Sequence, residues 1–220
     1  MPPITAWDDY YIPGTKVLAN KLNISDPDTL QAAEDFIAMP RLAELLAQPA
    51  LAIPLDYTGM QQIHRTIFGD VYDWAGEPRT TPAAPMTKKY RDVVNYAWDD
   101  PDAPVGTYGY YPGPAVAEAA HRQFSELARE NNLQGLPRDR FIERLAEHWA
   151  EINAIHPFRE GNTRTQVVFF ARLAAEAGHQ LRTLELLENE PLQDEFIAAR
   201  FYAQITVNYG PMAHVLGRII

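Results

Sequence analysis

Apolar residues recur along this chain at intervals of three and four, and strand-like alternation is scarce, so the pattern predicts a mostly α-helical fold. Residues 26–47, DPDTLQAAEDFIAMPRLAELLA, open on acidic and threonine capping signals and predict a first helix that Pro40 should kink or divide. LDYTGMQQIHRTIFGD predicts a second, closed near Gly69. PAVAEAAHRQFSELAREN, with Pro114 suited to a first turn, predicts a third. RDRFIERLAEHWAEINAI sets Phe141, Leu145, Trp149 and Ile152 on one stripe and predicts a fourth. TRTQVVFFARLAAEAG predicts a fifth, stopped by Gly178. PLQDEFIAARFYAQ predicts a sixth, and PMAHVLGRII a closing turn of helix.

Between Arg79 and Pro114 the pattern fails. The stretch TTPAAPMTKKYRDVVNYAWDDPDAPVGTYGYYPG is rich in proline, glycine and tyrosine. A non-helical segment this long inside a compact domain is usually functional or mobile. It reads as a surface loop or short hairpin leaning over something, with a disordered insertion as the competing reading. No repeat, low-complexity run or linker divides the sequence, so residues 1–220 are expected to form a single domain.

Composition narrows the classes. With 46% hydrophobic and 22% charged residues the chain resembles an ordinary soluble globular protein. Its longest apolar runs, such as VVFFA from Val167, are too short to span a membrane. The opening MPPITAWDDYYIPGT has no basic segment followed by an apolar stretch, so a cytoplasmic location with no membrane partner is the expectation. The absence of cysteine excludes disulfides, thiolate metal sites and cysteine nucleophiles. A balance of 29 acidic to 19 basic residues, net −10, repels nucleic-acid backbones and argues against a nucleic-acid partner. A small anion can still bind where a few arginines converge.

Candidate chemistry concentrates in HPFREGNTR, His156 to Arg164, between the fourth and fifth helices. Pro157 stops the fourth helix. Gly161 and Asn162 tolerate unusual backbone angles and expose amides. The fifth helix begins there, so its unpaired N–H groups and positive dipole end face the loop as a ready anion site. Arg164, in the first turn, adds a fork of donors suited to phosphate oxygens. Glu160 can ligate magnesium, which uses one or two carboxylates together with phosphate oxygens. His156 is a candidate general base. Together these suggest transfer of a phosphate-containing group to a hydroxyl. Plainer readings stand beside this one. A histidine at a helix end is often a cap or a core residue, and helix connections containing glycine and asparagine are common without function. His156 and Glu160 do not read as a metal pair, because Pro157 breaks the helix that such spacing needs. Phe158 is a core anchor on either view.

The stretch HPFREGNTR resembles the active-site motif of the Fic family, HPFx[D/E]GNGRxxR. IFGDVYDWAGEPRT resembles the segment leading into that family's substrate-positioning hairpin, the flap, and YYIPGTKVLANKLNISDPDTL resembles the start of stand-alone bacterial Fic proteins. The resemblance implies a Fic fold, a helical bundle with a short β-hairpin flap over the active site. It implies transfer of AMP from ATP, with magnesium, to a Ser, Thr or Tyr hydroxyl of a target protein. His156 would deprotonate that hydroxyl, and Glu160 would hold magnesium on the α- and β-phosphates. Gly161, Asn162 and Thr163 would form the anion hole, Arg164 would grip the β-phosphate, and Phe158 would anchor the loop. The flap would lie within about residues 79–113 and pair with the target chain.

Two departures matter. Thr163 replaces the motif's second glycine, and its branching narrows the allowed backbone angles. Val167 replaces the second arginine, which in the family contacts the γ-phosphate. A charge-assisted hydrogen bond is worth roughly 1.5–3 kcal/mol, on the order of tenfold to a hundredfold in affinity. Arg159, Arg172, Lys88 and Lys89 are the candidates to compensate. No Ser or Thr is followed four residues later by Glu, so the family's inhibitory helix motif is missing. The resulting expectation is a cytoplasmic AMP transferase, the toxin of a toxin–antitoxin pair with a small antitoxin as possible partner. The alternatives are a Fic-type transferase using another nucleotide or phosphorylated donor, or a weakened Fic domain acting as a binding module. Doc-like phosphorylation ranks lower, since that motif has a lysine in place of Thr163.

Overall fold

The computed structural model describes residues 3–48 and 52–220. Among them run eight α-helices and one hairpin, in the order α1 Pro27–Ala47, α2 Tyr57–Phe68, β1 Pro85–Arg91, β2 Val105–Pro112, α3 Gly113–Arg129, α4 Arg138–Ile155, α5 Asn162–Glu176, α6 Thr183–Glu188, α7 Glu190–Thr206 and α8 Gly210–Gly217. The fold is mostly helical, as the spacing predicts.

The centre is α5, which buries Val167, Val168, Phe169 and Phe170 in succession and so has partners on every side. On α4, Phe141, Leu145, Trp149 and Ile152 are all buried, and Trp149 stacks on Phe170 with ring centroids 4.5 Å apart. Side-chain caps start three helices: Asp26 accepts from the Thr29 N–H, Asp56 from Gly59 and Asn189 from Leu192. Gly178, at φ 86, ends the fifth helix as expected.

Pro40 does not divide α1, which runs unbroken from residue 27 to 47. The carbonyl deprived of its donor belongs to Phe36, which is 81% exposed, so water can take the lost bond. The short α6 (TLELLE) stands outside the expected set because six residues are too few to show a helical period.

The proline- and tyrosine-rich stretch is a hairpin. β1 and β2 pair antiparallel, with Lys88 opposite Tyr108 and Tyr90 opposite Gly106. Its tyrosines form a small second core against α7. Tyr90 stacks on Phe201 at 4.7 Å, Tyr108 tilts against the same ring at 4.5 Å, and Val93, Tyr110 and Ala198 complete the cluster. A two-stranded ribbon is marginal by itself, and packing on a helix supplies the burial that it lacks. Among the described residues no helix is long and apolar enough to cross a membrane.

Candidate active site

The loop between α4 and α5 is held from three directions. His156 leaves α4 in the left-handed region, φ 50, and its ring stacks face to face on Tyr110 of β2, with centroids 3.9 Å apart. Behind it lies Arg79, fully buried. The Arg79 Nε donates to the His156 carbonyl at 2.7 Å, and Nη2 donates to the carbonyls of Ile155 at 3.0 Å and Tyr111 at 2.6 Å. Two of those carbonyls end α4, so the guanidinium sits where the helix dipole is negative. The same residue thus ties the last turn of α4 to the end of the hairpin.

Next in the chain, Phe158 is buried and stacks on His64 of α2 at 3.9 Å. His64 has a defined tautomer. Its Nδ1 accepts from the Gly76 N–H at 2.8 Å, so Nε2 carries the proton and donates to the Glu160 carbonyl at 2.9 Å. Burial is the main reason its pKa falls to about 3. Such a group binds a proton in the unfolded chain below pH 6.5 but not in the folded one, so stability rises with pH across that window. The melting temperature is therefore expected to fall as pH drops from 6.5 toward 4, and to fall less in His64→Gln. Parallel thermal melts check this, and equal slopes contradict it.

Asn162 closes the loop with its side chain. Oδ1 accepts from the Phe158 N–H at 2.9 Å and Nδ2 donates to the Phe158 carbonyl at 2.8 Å. Gly161 precedes it at φ 77, with its N–H donating to the Glu160 carboxylate at 2.9 Å. No side chain caps α5 and no acidic residue occupies its first turn. The amides of Asn162, Thr163 and Arg164 thus present the positive end of a central helix beside His156, which suits an anion.

The Arg164 guanidinium turns toward α1. It pairs with the buried Glu34 and, at 3.2 Å, with Asp35, while lying over the Phe68 ring at 4.6 Å. Tyr72 donates to the second oxygen of Glu34. Arg159 bonds to the Tyr11 hydroxyl and lies over Trp7, and Arg172 donates to the Ile53 carbonyl at 3.1 Å. Lys89 is exposed on β1, as is Lys88, whose charge reaches His156. Val167 is buried in the core.

Electrostatics fix the state of His156. Burial, then the charges of Lys88, Arg79 and Arg200, push its pKa well below 6.5. The Asn153 carbonyl works in the opposite direction, although Nδ1 makes no hydrogen bond of full geometry. The ring is neutral at pH 7 and can accept a proton. Magnesium, implied by the motif, suits what is present. Among the described residues no three His, Cys, Asp or Glu side chains form a self-sufficient metal cluster. The half-buried Glu160 offers the single carboxylate that magnesium takes alongside phosphate oxygens and water.

Sequence reasoning missed His64, Arg79, Tyr110, Glu34 and Arg200. The first four carried no local signal, because their roles depend on which elements meet. Arg200 did carry one, a lone cation between Ala199 and Phe201 on the apolar face of a helix.

A profile of the Fic/DOC family matches residues 54–174. The protein adenylyltransferase VbhT of Bartonella schoenbuchensis is 34% identical over 177 residues, 79% of this chain and 32% of VbhT, so this chain spans about a third of that relative's length. The Escherichia coli K12 protein named "Probable protein adenylyltransferase Fic" is 32% identical over 79% of this chain and 76% of its own. The N-terminal Fic domain of a Bartonella effector from Bartonella sp. AR 15-3 superposes with a TM-score of 0.76 at 26% identity, covering 96% of this chain and 91% of that one.

Proposed function

The chain belongs to the Fic/DOC family, and on that premise we propose that it is a protein adenylyltransferase, moving AMP from ATP to a Ser, Thr or Tyr hydroxyl of a target protein. The observation that carries this reading is the adjacency, on one loop, of the buried His156 imidazole and an uncapped helix start. His156 takes the hydroxyl proton. The hydroxyl oxygen then bonds to the α-phosphorus, and pyrophosphate leaves with the electrons of the broken P–O bond. The amides of Gly161, Asn162 and Thr163 receive phosphate oxygens, with Gly161 exchanging its present Glu160 acceptor for one of them. Arg164 brings its charge to the same turn, oriented by Glu34 and Asp35. Glu160 would hold magnesium, which would supply neutralisation of phosphate charge when bound. The outer edge of β1 has no strand partner among the described residues and receives the target segment as an added strand. The same reading takes residues 1–220 as one Fic domain acting in the cytoplasm, as the toxin of a pair with a small antitoxin.

Val167 favours a second reading. With this position buried and apolar, the turn after the loop brings no second cation to the polyphosphate. Another nucleotide or phosphorylated donor, or partner binding without turnover, fits that loss. Incubation with magnesium, host lysate and α- or γ-labelled ATP separates the readings. Beside a His156→Ala control, His156-dependent label is expected on a protein from the α position only. His156-dependent transfer from γ indicates phosphorylation instead, and no His156-dependent label from either overturns the adenylyl reading.

The pH dependence follows from the depressed pKa of His156. The neutral ring is the competent form, so kcat/KM, which reports the free enzyme, should stay flat from pH 8 down to about 6. An acid limb centred near 6.5, the ordinary histidine value, would contradict the buried, cation-flanked geometry.

A further inference from the structure

Four arginines surround the loop, and three have partners in the fold that account for their placement. Arg79 binds main-chain carbonyls behind it, Arg159 lies among aromatic rings, and Arg164 pairs with two carboxylates. Arg200 of α7 differs. It is 8% exposed, and no carboxylate lies within ion-pair distance of it among the described residues. In a chain with 29 acidic residues, that isolation is not for want of partners. Its Nη1 donates to the Thr163 hydroxyl at 3.1 Å and to the Asn153 Oδ1 at 3.3 Å, while the buried Nε has no acceptor. The ring of Phe196 supports the guanidinium from the side, 5.0 Å away.

A buried cation without an anion costs several kcal/mol, so a fold gains by pairing it or replacing it. Arg200 has neither remedy. It is instead anchored to the first turn of α5, where the uncapped amides gather, by the side chain that departs from the motif. Thr163 is itself exposed, so the hydroxyl links the buried guanidinium to the open face of the helix start. The charge of Arg200, with those of Lys88 and Arg79, adds to the burial that depresses the His156 pKa. The pKa of Arg200 itself falls to about 10 through burial, which leaves it charged at neutral pH.

We propose that Arg200 is a phosphate-binding residue of this site, held by Thr163 and Asn153, and supplies from α7 the cation that Val167 cannot supply from α5. This rests on the nucleotide reading of the loop. The ligand it takes is the polyphosphate chain of a nucleotide, and the substitution at Thr163 is the fixture that orients the guanidinium.

The test is calorimetric titration of the full chain with magnesium-ATP and with inorganic tripolyphosphate, comparing wild type, Arg200→Met and Arg200→Lys, alongside melting of the free proteins. Arg200→Met is expected to weaken both ligands by about tenfold to a hundredfold, the range of one charge-assisted hydrogen bond or more. Arg200→Lys should weaken them less. The free Arg200→Met protein should melt no lower than wild type, because the residue stores an uncompensated charge. A merely structural arginine gives the reverse, a lower melting temperature with unchanged affinity. If wild type binds ATP and Arg200→Met binds it equally well, the inference fails and the nucleotide reading stands. If wild type binds tripolyphosphate through Arg200 but not ATP, the anion site stands and the nucleotide reading fails. If neither ligand binds wild type, both fail. Should Arg200→Met not fold, Thr163→Val removes the anchoring hydroxyl while keeping the shape. It is expected to weaken binding at least about threefold, the worth of an ordinary hydrogen bond, and wild-type affinity in this variant overturns the proposal.

Discussion

His156→Ala is expected to lower turnover by about a thousandfold or more while leaving ATP affinity within a few fold. Loss of a positioned general base costs on the order of 10²–10⁴ in rate. Truncation also removes the ring stacked at 3.9 Å on Tyr110, so the hairpin loses its contact with the reacting group as well. Nucleotide binding should survive, because the phosphate-facing groups lie on the loop beyond residue 160, on α5 and, with Arg200, on α7. The loop backbone is fixed independently through Arg79, His64 and Asn162. Single-turnover transfer and calorimetric titration of the same preparation separate the two effects. Equal losses in turnover and affinity would assign His156 to binding and not to proton transfer.

Gly161→Ala is the second large expectation, and it acts on shape. A Cβ at residue 161 would meet the Phe68 ring at 2.3 Å and 2.4 Å. That ring cannot retreat, since it is buried and has the Arg164 guanidinium stacked over it. The backbone is also left-handed at φ 77, which costs an L-residue roughly 1–2 kcal/mol, and overpacking a filled core costs about 1–3 more. A loss of about 2–5 kcal/mol follows, roughly 5–15 °C in melting temperature for a chain of this size. ATP binding should disappear with it, since residue 161 sets where the first amides of α5 point. Gly178→Ala is the control. It has φ 86 with nothing within 4 Å, so it carries only the backbone part and leaves binding intact. Matching losses in the two variants would show that the Phe68 contact is not what fixes the loop.

The helices were legible because burial repeats at their period. The 138–155 segment of α4 matches its predicted bounds, and α5 starts within a residue of expectation. The candidate loop was legible too, since proline, glycine and asparagine announce a helix break and a helix start by local chemistry alone. What sequence could not supply was the company that the loop keeps. Nothing about His64 on an amphipathic helix announces a histidine bonded to the Glu160 carbonyl 96 positions away. Arg79 looked like the edge of an irregular stretch and is the buried brace of α4. The tyrosines that made the 79–113 region look anomalous are its own core, packed on Phe201. Arg164 illustrates the limit most clearly. Its residue type and place could be read locally, but not that Glu34 and Asp35, from a helix 130 and 129 residues earlier, would orient it.

The Fic/DOC membership bears on the fold and on the kind of chemistry, while the donor and the target rest on this chain's own residues. The direct measurement is mass spectrometry of protein recovered after incubation with ATP, magnesium and lysate, for wild type and His156→Ala, with fragmentation to locate the adduct. The account predicts AMP esterified to a hydroxyl side chain in the wild-type reaction and none with the variant. A phosphate adduct, a different nucleotide, or AMP that appears equally with His156→Ala would contradict it.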